Sequence, residues 1–130
     1  MGVKIKRAYQ QPSDQDGVRI LVDRIWPRGV SKKEAKIDYW LRKISPSTEL
    51  RKWFNHEPSK YELFKERYKC ELHTEPEKED QLQELLELVK DHERVTLVYG
   101  AKDKKNNQAI VLQEILNEYS CLSKWKDVTS

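Results

Sequence analysis

The sequence predicts a single α/β domain with a small, mostly parallel, Rossmann-like sheet flanked by helices. Three observations carry that expectation. Apolar runs short enough for strands alternate with longer stretches of helical periodicity, as parallel sheets with helical crossovers require. Hydrophobic residues make up 37% and charged residues 36% of 130 residues, which calls for a compact core under a heavily charged surface. The apolar periodicity continues along the chain, which argues against disorder. The domain is assigned to residues 1–120, with residues 121–130 as a polar C-terminal tail that includes Trp125.

Val3-Lys4-Ile5-Lys6-Arg7-Ala8-Tyr9 alternates apolar and basic residues, the pattern of a strand with one buried face. Gln10 to Gly17 is a polar loop containing Pro12, Asp14 and Asp16. Val18 to Val22 is a second strand, apolar enough for burial on both faces. Pro27 and Gly29 then interrupt regular structure. Ser31-Lys32-Lys33-Glu34 has the form of a capping box and opens a short helix. Ile37, Tyr39 and Leu41 alternate with Asp38, Trp40 and Arg42, which suggests a third strand, with a short helix as the competing assignment.

Ser47 caps the next helix, which places Leu50, Trp53 and Phe54 on one face. Pro58 suits a helical first turn, followed by an inner stripe of Tyr61, Phe64, Tyr68 and Leu72. Thr74 and Glu77 read as a second capping box around Pro76, before a helix that buries Leu82, Leu85, Leu86 and Val89. Val95 to Tyr99 is the last strand and ends at Gly100. The final helix runs from about Asn107 to Tyr119, with Ala109, Leu112, Leu116 and Tyr119 inward.

The 25 basic and 22 acidic residues leave a formal charge of +3, too mild to argue for a nucleic-acid partner on electrostatic grounds. No apolar run approaches the roughly 20 residues of a membrane span, and Met1 to Arg7 lacks the apolar core of a signal peptide. Cys70 and Cys121 are far apart and belong to no CxxC, so they read as reduced structural thiols in a cytoplasmic protein. No metal and no cofactor is assigned: there is no HExxH, no Gly-rich phosphate loop and no GxSxG.

Ligands of open α/β sheets bind outside the carboxyl ends of the strands. The second strand delivers Asp23, Arg24, Trp26 and Arg28 there; the last delivers Tyr99, Lys102 and Asp103, then Asn106 and Asn107 before the final helix. If the two strands are parallel neighbours, both loops open on one edge. Arg24, Arg28 and Lys102 supply positive charge, and Arg holds carboxylate or phosphate in bidentate fashion. The helix start at Asn107 offers free N–H groups to an anion. Trp26 or Tyr99 offers a flat face for a planar group. Asp23 and His56 are the candidates for proton transfer, though no reaction is specified. A structural reading stands beside each: Asp23 and Arg24 as an ion pair fixing the loop, Trp26-Pro27 as a plug over the sheet, and His56 as a cation at a helix C-terminus. Arg51, one turn from Ser47, either reaches the same edge or pairs with a nearby Glu. The expected partner is an anionic small molecule, phosphate- or carboxylate-bearing and nucleotide-like in one version. The alternative is a nucleic-acid or protein interaction module using the same Arg/Trp surface.

Three segments carry a family resemblance: Val22-Asp23-Arg24-Ile25-Trp26-Pro27-Arg28-Gly29, then Pro46 to Phe54 with His56, then Tyr99-Gly100-Ala101-Lys102-Asp103. They resemble the YeaO-like branch of the domain-of-unknown-function 488 family over nearly the whole chain, Ile5 to about Leu116. The resemblance implies a Rossmann-like domain and supplies no activity. Larger relatives in the family carry an Asp-x-Arg after the second strand, which Asp23 and Arg24 echo. Members of the branch often have His on either side of the position matching Asn107; Asn106 and Gln108 stand there in this chain, which argues against a metal or a His-based proton relay at the final helix. Some relatives are labelled transcriptional regulators, but this chain shows no helix-turn-helix signature.

Overall fold

Four parallel strands, β1 (Val3–Arg7), β2 (Val18–Leu21), β3 (Tyr39–Trp40) and β4 (Val95–Tyr99), form one sheet in the order β1-β4-β2-β3. The computed structural model describes residues 3–129, with side chains through Glu118. Five helices complete the fold: α1 (Lys32–Ala35), α2 (Thr48–Phe54), α3 (Tyr61–Thr74), α4 (Pro76–Asp91) and α5 (Gln108–Thr129). The last strand in sequence is thus central in space. This is why every residue of Val95-Thr96-Leu97-Val98-Tyr99 is buried, whereas the edge strand β1 is mostly half-buried.

The two faces of the sheet are covered differently. Val3, Ile20, Val22, Val95, Leu97 and Tyr99 point into the main core, where they meet α2, α3, α4 and α5. Tyr61, Phe64, Tyr68 and Leu72 are all buried, as the helical spacing of α3 requires, and Phe54 stacks on Phe64 at 4.4 Å between ring centroids. Ala109, Leu112 and Leu116 face inward from α5. The opposite face carries Ala8, Leu21 and Val98 under Trp26, Val30, Ile37 and Trp40, with the one-turn α1 tied to it through the Ala35 carbonyl, which accepts from Arg19.

A buried charge network fills the rest of that second face. Asp16, in a 3₁₀ turn before β2, accepts from Arg19 at 2.7 Å, from Lys6 at 3.2 Å and from the Ser13 N–H at 3.0 Å. Its own carbonyl accepts from the Thr96 hydroxyl at 2.7 Å. Burial pushes the Asp16 carboxyl up, but the Ser13 N–H, Lys6 and Arg19 together outweigh it and hold its pKa below the usual value. Gly17 follows at φ 66°, and a Cβ there would lie 2.2 Å from the Arg94 carbonyl oxygen, so only glycine fits.

Several local expectations need correction. The third strand shrinks to Tyr39–Trp40, because Leu41 closes the ladder on the Leu21 carbonyl and the chain turns at Arg42–Ile44. The alternation itself holds: Tyr39 pairs with Ile20 on the main-core side, the side that buries Leu41, though it stays exposed, while Trp40 pairs with Leu21 and packs against the second core cluster. The capping box at Thr74 does not form. Thr74 is still helical and its hydroxyl donates to the Cys70 carbonyl at 2.9 Å, while Glu75 alone links α3 to α4, with Pro76 at the first helical position. At Ser31 the hydroxyl does accept the Glu34 N–H, at 3.4 Å. The backbone of residues 121–129 continues α5. The Tyr119, Cys121 and Trp125 side chains lie outside the described set. Among the described residues, no helix is long and apolar enough to cross a membrane.

Candidate functional site

The parallel pairing of β2 with β4 aligns Leu21 with Val98, so the chain leaves both strands side by side and Asp23 arrives next to Gly100. The Gly100 N–H donates to Asp23 Oδ2 at 2.8 Å. A Cβ on residue 100 would stand 2.9 Å from that oxygen, so the contact depends on glycine. The other oxygen, Oδ1, accepts from the Gln108 side-chain amide at 2.6 Å. Burial pushes the Asp23 carboxyl up to about 6, against the lowering effect of the Gly100 N–H, the Gln108 amide and the positive charge of Arg51. The Asp23–Arg24 ion pair does not form: Arg24 reaches across to the hydroxyl of Thr48, at the start of α2.

Around this carboxylate the strand ends, the start of α2 and the start of α5 enclose a cleft of about 390 Å³. Its wall is apolar where Pro27, Pro46, Phe54 and Phe64 contribute. Its rim is cationic: Arg24 and Arg28 come from the loop after β2, and Arg51 from α2. The local sequence explains why α2 presents Arg51. Ser47 caps the helix by accepting the Leu50 N–H at 3.1 Å, and its hydroxyl donates to Glu71 at 2.5 Å. Leu50 and Phe54 are buried by the core, which leaves Arg51 on the exposed side. The helix ends in two successive left-handed residues, Asn55 and His56, at φ 47° and 55°, and His56 lines the cleft. Tyr9 closes one end of the rim, where its hydroxyl donates to the Arg28 carbonyl at 3.0 Å.

The predicted residues divide into two groups. Asp23, Arg24, Trp26, Arg28, His56 and Asn107 line the cleft; Tyr99, Lys102 and Asp103 do not. Tyr99 is buried in the main core, and burial raises its phenol above the ordinary value. Asp103 closes its own turn: one oxygen accepts the N–H groups of Lys105 and Asn106, the other the Asn106 amide. Those bonds, the Asn106 amide first, hold its carboxyl below the usual range. Lys102 is exposed on the same turn.

Asn107 is a cap. Its side chain accepts the Ile110 N–H at 3.0 Å and donates to the Asp103 carbonyl at 2.8 Å, and its own carbonyl accepts from the Tyr61 hydroxyl at 2.9 Å. Trp26 is occupied too. Its indole N–H donates to the Val30 carbonyl, and its ring meets Trp40 edge-on at 5.5 Å. Trp40 in turn donates to the Asp23 carbonyl at 2.7 Å. The plug reading of Trp26-Pro27 therefore describes the ring, which also forms part of the cleft wall.

Two residues acquire a place that the sequence left open or unassigned. Arg51 faces Asp23 and the cleft. Gln108 holds the Asp23 carboxylate from the first turn of α5; its signals in the sequence were its position directly after a helix cap and the His that branch members often carry there. Among the described residues, no three His, Cys, Asp or Glu side chains are grouped as metal ligands would be.

The model of the inactive DUF488-N3 subclade matches residues 2–127. The chain belongs to that subclade of the DUF488 family. Its DUF488 relatives include the uncharacterized protein YeaO of Escherichia coli K12, 41% identical over 116 residues, which cover 89% of this chain and 97% of YeaO. The uncharacterized proteins Rv3073c of Mycobacterium tuberculosis and Mb3100c of Mycobacterium bovis are each 36% identical over 115 residues, covering 88% of this chain and 93% of theirs. No solved structure matches the chain.

Proposed function

We propose that this chain is a cytoplasmic binding protein for an anionic small molecule, phosphate- or carboxylate-bearing, held in the cleft at the carboxyl edge of the sheet. One observation carries this reading. Three arginines and a histidine from separate parts of the fold converge on one cleft, and the single carboxylate among the described residues lining it, Asp23, is already engaged by Gly100 and Gln108. Guanidinium groups on a rim above an apolar wall match a ligand with a charged head and a less polar body. Membership of a subclade described as inactive favours binding over turnover, with Asp23 and His56 as binding residues.

Ligand screening by thermal shift at low ionic strength tests the proposal, because a ligand that binds only the folded chain stabilises it. Inorganic phosphate and small carboxylates are expected to raise Tm, and Arg51→Ala combined with Arg28→Ala to abolish the rise. Retention of the full shift in that double variant removes the cleft as the site.

The alternative, an interaction module for nucleic acid or protein, draws support from Ile25, which is 69% exposed on the lip between Arg24 and Trp26. A neighbouring groove also extends past Arg42, Lys43 and Lys78. Those two lysines, however, face Glu77 and Glu75 at 3.7 and 3.9 Å, so the protein itself offsets their charge.

A further inference from the structure

We infer that Asp23 makes this cleft selective for oxyanions that still carry a proton, a phosphate or phosphate monoester in preference to sulfate. The inference rests on the anion-binding reading above and names the ligand class for the same site.

A carboxylate in a cationic cleft is otherwise a handicap, because it repels the anion that the arginines attract. Asp23 is nevertheless built firmly into the cleft. Its backbone carbonyl is held by the Trp40 indole, Oδ2 by the Gly100 N–H and Oδ1 by the Gln108 amide. Each carboxylate oxygen offers about two acceptor positions. One donor apiece therefore leaves capacity on a group that lines the cleft. Among the described residues, the charged and titratable groups around it are Arg24 and Arg28 from its own loop, Arg51 and His56 from α2 and its C-terminus, and the phenols of Tyr9 and Tyr68, whose hydroxyls are committed to the Arg28 and Ile44 carbonyls. The start of α5 gives it the neutral Gln108 amide.

An oxyanion that binds the three arginines brings its remaining oxygens towards Asp23. Sulfate presents nothing but acceptors there, so lone pairs and like charges oppose each other. A protonated phosphate oxygen instead donates a hydrogen bond to the carboxylate. A half-buried carboxyl whose affinity for protons is already raised by burial suits a shared proton of this kind. Simple charge attraction predicts the opposite order: a phosphate monoester at neutral pH carries about −1.5 to −2 charge, no more than sulfate.

The experiment is calorimetric titration of the full chain at pH 7 with inorganic phosphate, methyl phosphate and sulfate, on the wild type and on Asp23→Asn. The asparagine keeps the Gly100 contact through its carbonyl oxygen, and a turn of the Gln108 amide offers its oxygen to the new NH₂, so the loop geometry survives. Phosphate is expected to bind at least tenfold more tightly than sulfate to the wild type. In Asp23→Asn that ratio falls to threefold or less, chiefly through a gain for sulfate. The ratio is the readout, because losing one negative charge strengthens the binding of every anion. Methyl phosphate that binds as tightly as phosphate marks a monoester as the ligand; a large loss marks the free ion. Sulfate and phosphate binding equally to the wild type, or a phosphate preference that persists in Asp23→Asn, overturns the selectivity and leaves the anion site standing. Failure of all three anions to bind overturns the inference, and the anion site with it when small carboxylates also leave Tm unchanged.

Discussion

Asp23 sits at the point where the site and the stability of the fold conflict. Burial raises its pKa from 3.8 to about 6, so the folded state holds a proton more tightly than the unfolded chain does. Its contribution to stability is therefore fully present below about pH 4 and is lost as pH rises through 6, costing up to about 3 kcal/mol at neutral pH. Asp23→Asn is expected to be more stable than wild type at pH 7 by about 1–3 kcal/mol, with the advantage vanishing near pH 4. Urea denaturation of both proteins across that range checks this, and a variant less stable at pH 7 contradicts it. Asp16 has the opposite sign. Its pKa is lowered, so its contribution is present at neutral pH and is lost as pH falls below the ordinary carboxylate range. Asp16→Ala leaves the buried Arg19 guanidinium without its ion partner and is expected to cost about 3–5 kcal/mol at pH 7.

At the scale of elements, the cleft depends on how two helices and one strand end. Ser47→Ala removes the α2 cap and its bond to Glu71, and is expected to destabilise the chain by about 1–2 kcal/mol in chemical denaturation. Gly100→Ala forces a Cβ to within 2.9 Å of Asp23 Oδ2, so the carboxylate must move. It is expected to weaken anion binding more than it lowers Tm, as titration alongside a melt would show. Much of this level was legible in the sequence: the Ser47 cap, the Tyr61-Phe64-Tyr68-Leu72 stripe and the β4 run stand in the structure as their patterns implied. The Thr74 box was a false signal, because Thr74 is the last residue of α3 with its hydroxyl bonded back to the Cys70 carbonyl, and the extended Glu75 stands before α4. Tyr39 stays exposed because β3 is a two-residue edge strand, where a place on the main-core side does not ensure burial.

The topology of the whole molecule makes the site. Placing β4 between β1 and β2 lays the Asp23 loop beside Gly100, and the sequence supplied the rule for that convergence without the strand order. It could not show that Tyr99 turns into the core, that Asp103 and Asn107 are committed to closing a turn and capping α5, or that Arg51 and Gln108 take their place around the carboxylate. Those are facts of side-chain packing across distant segments. The central claim is that this cleft binds an anion, and titrating inorganic phosphate into the ¹⁵N-labelled chain while following amide resonances tests it most directly. The account predicts saturable shifts concentrated at residues 23–28, 51–56 and 100–108, lost in Arg51→Ala. Shifts scattered over the basic surface, unsaturated and unaffected by that substitution, would contradict it.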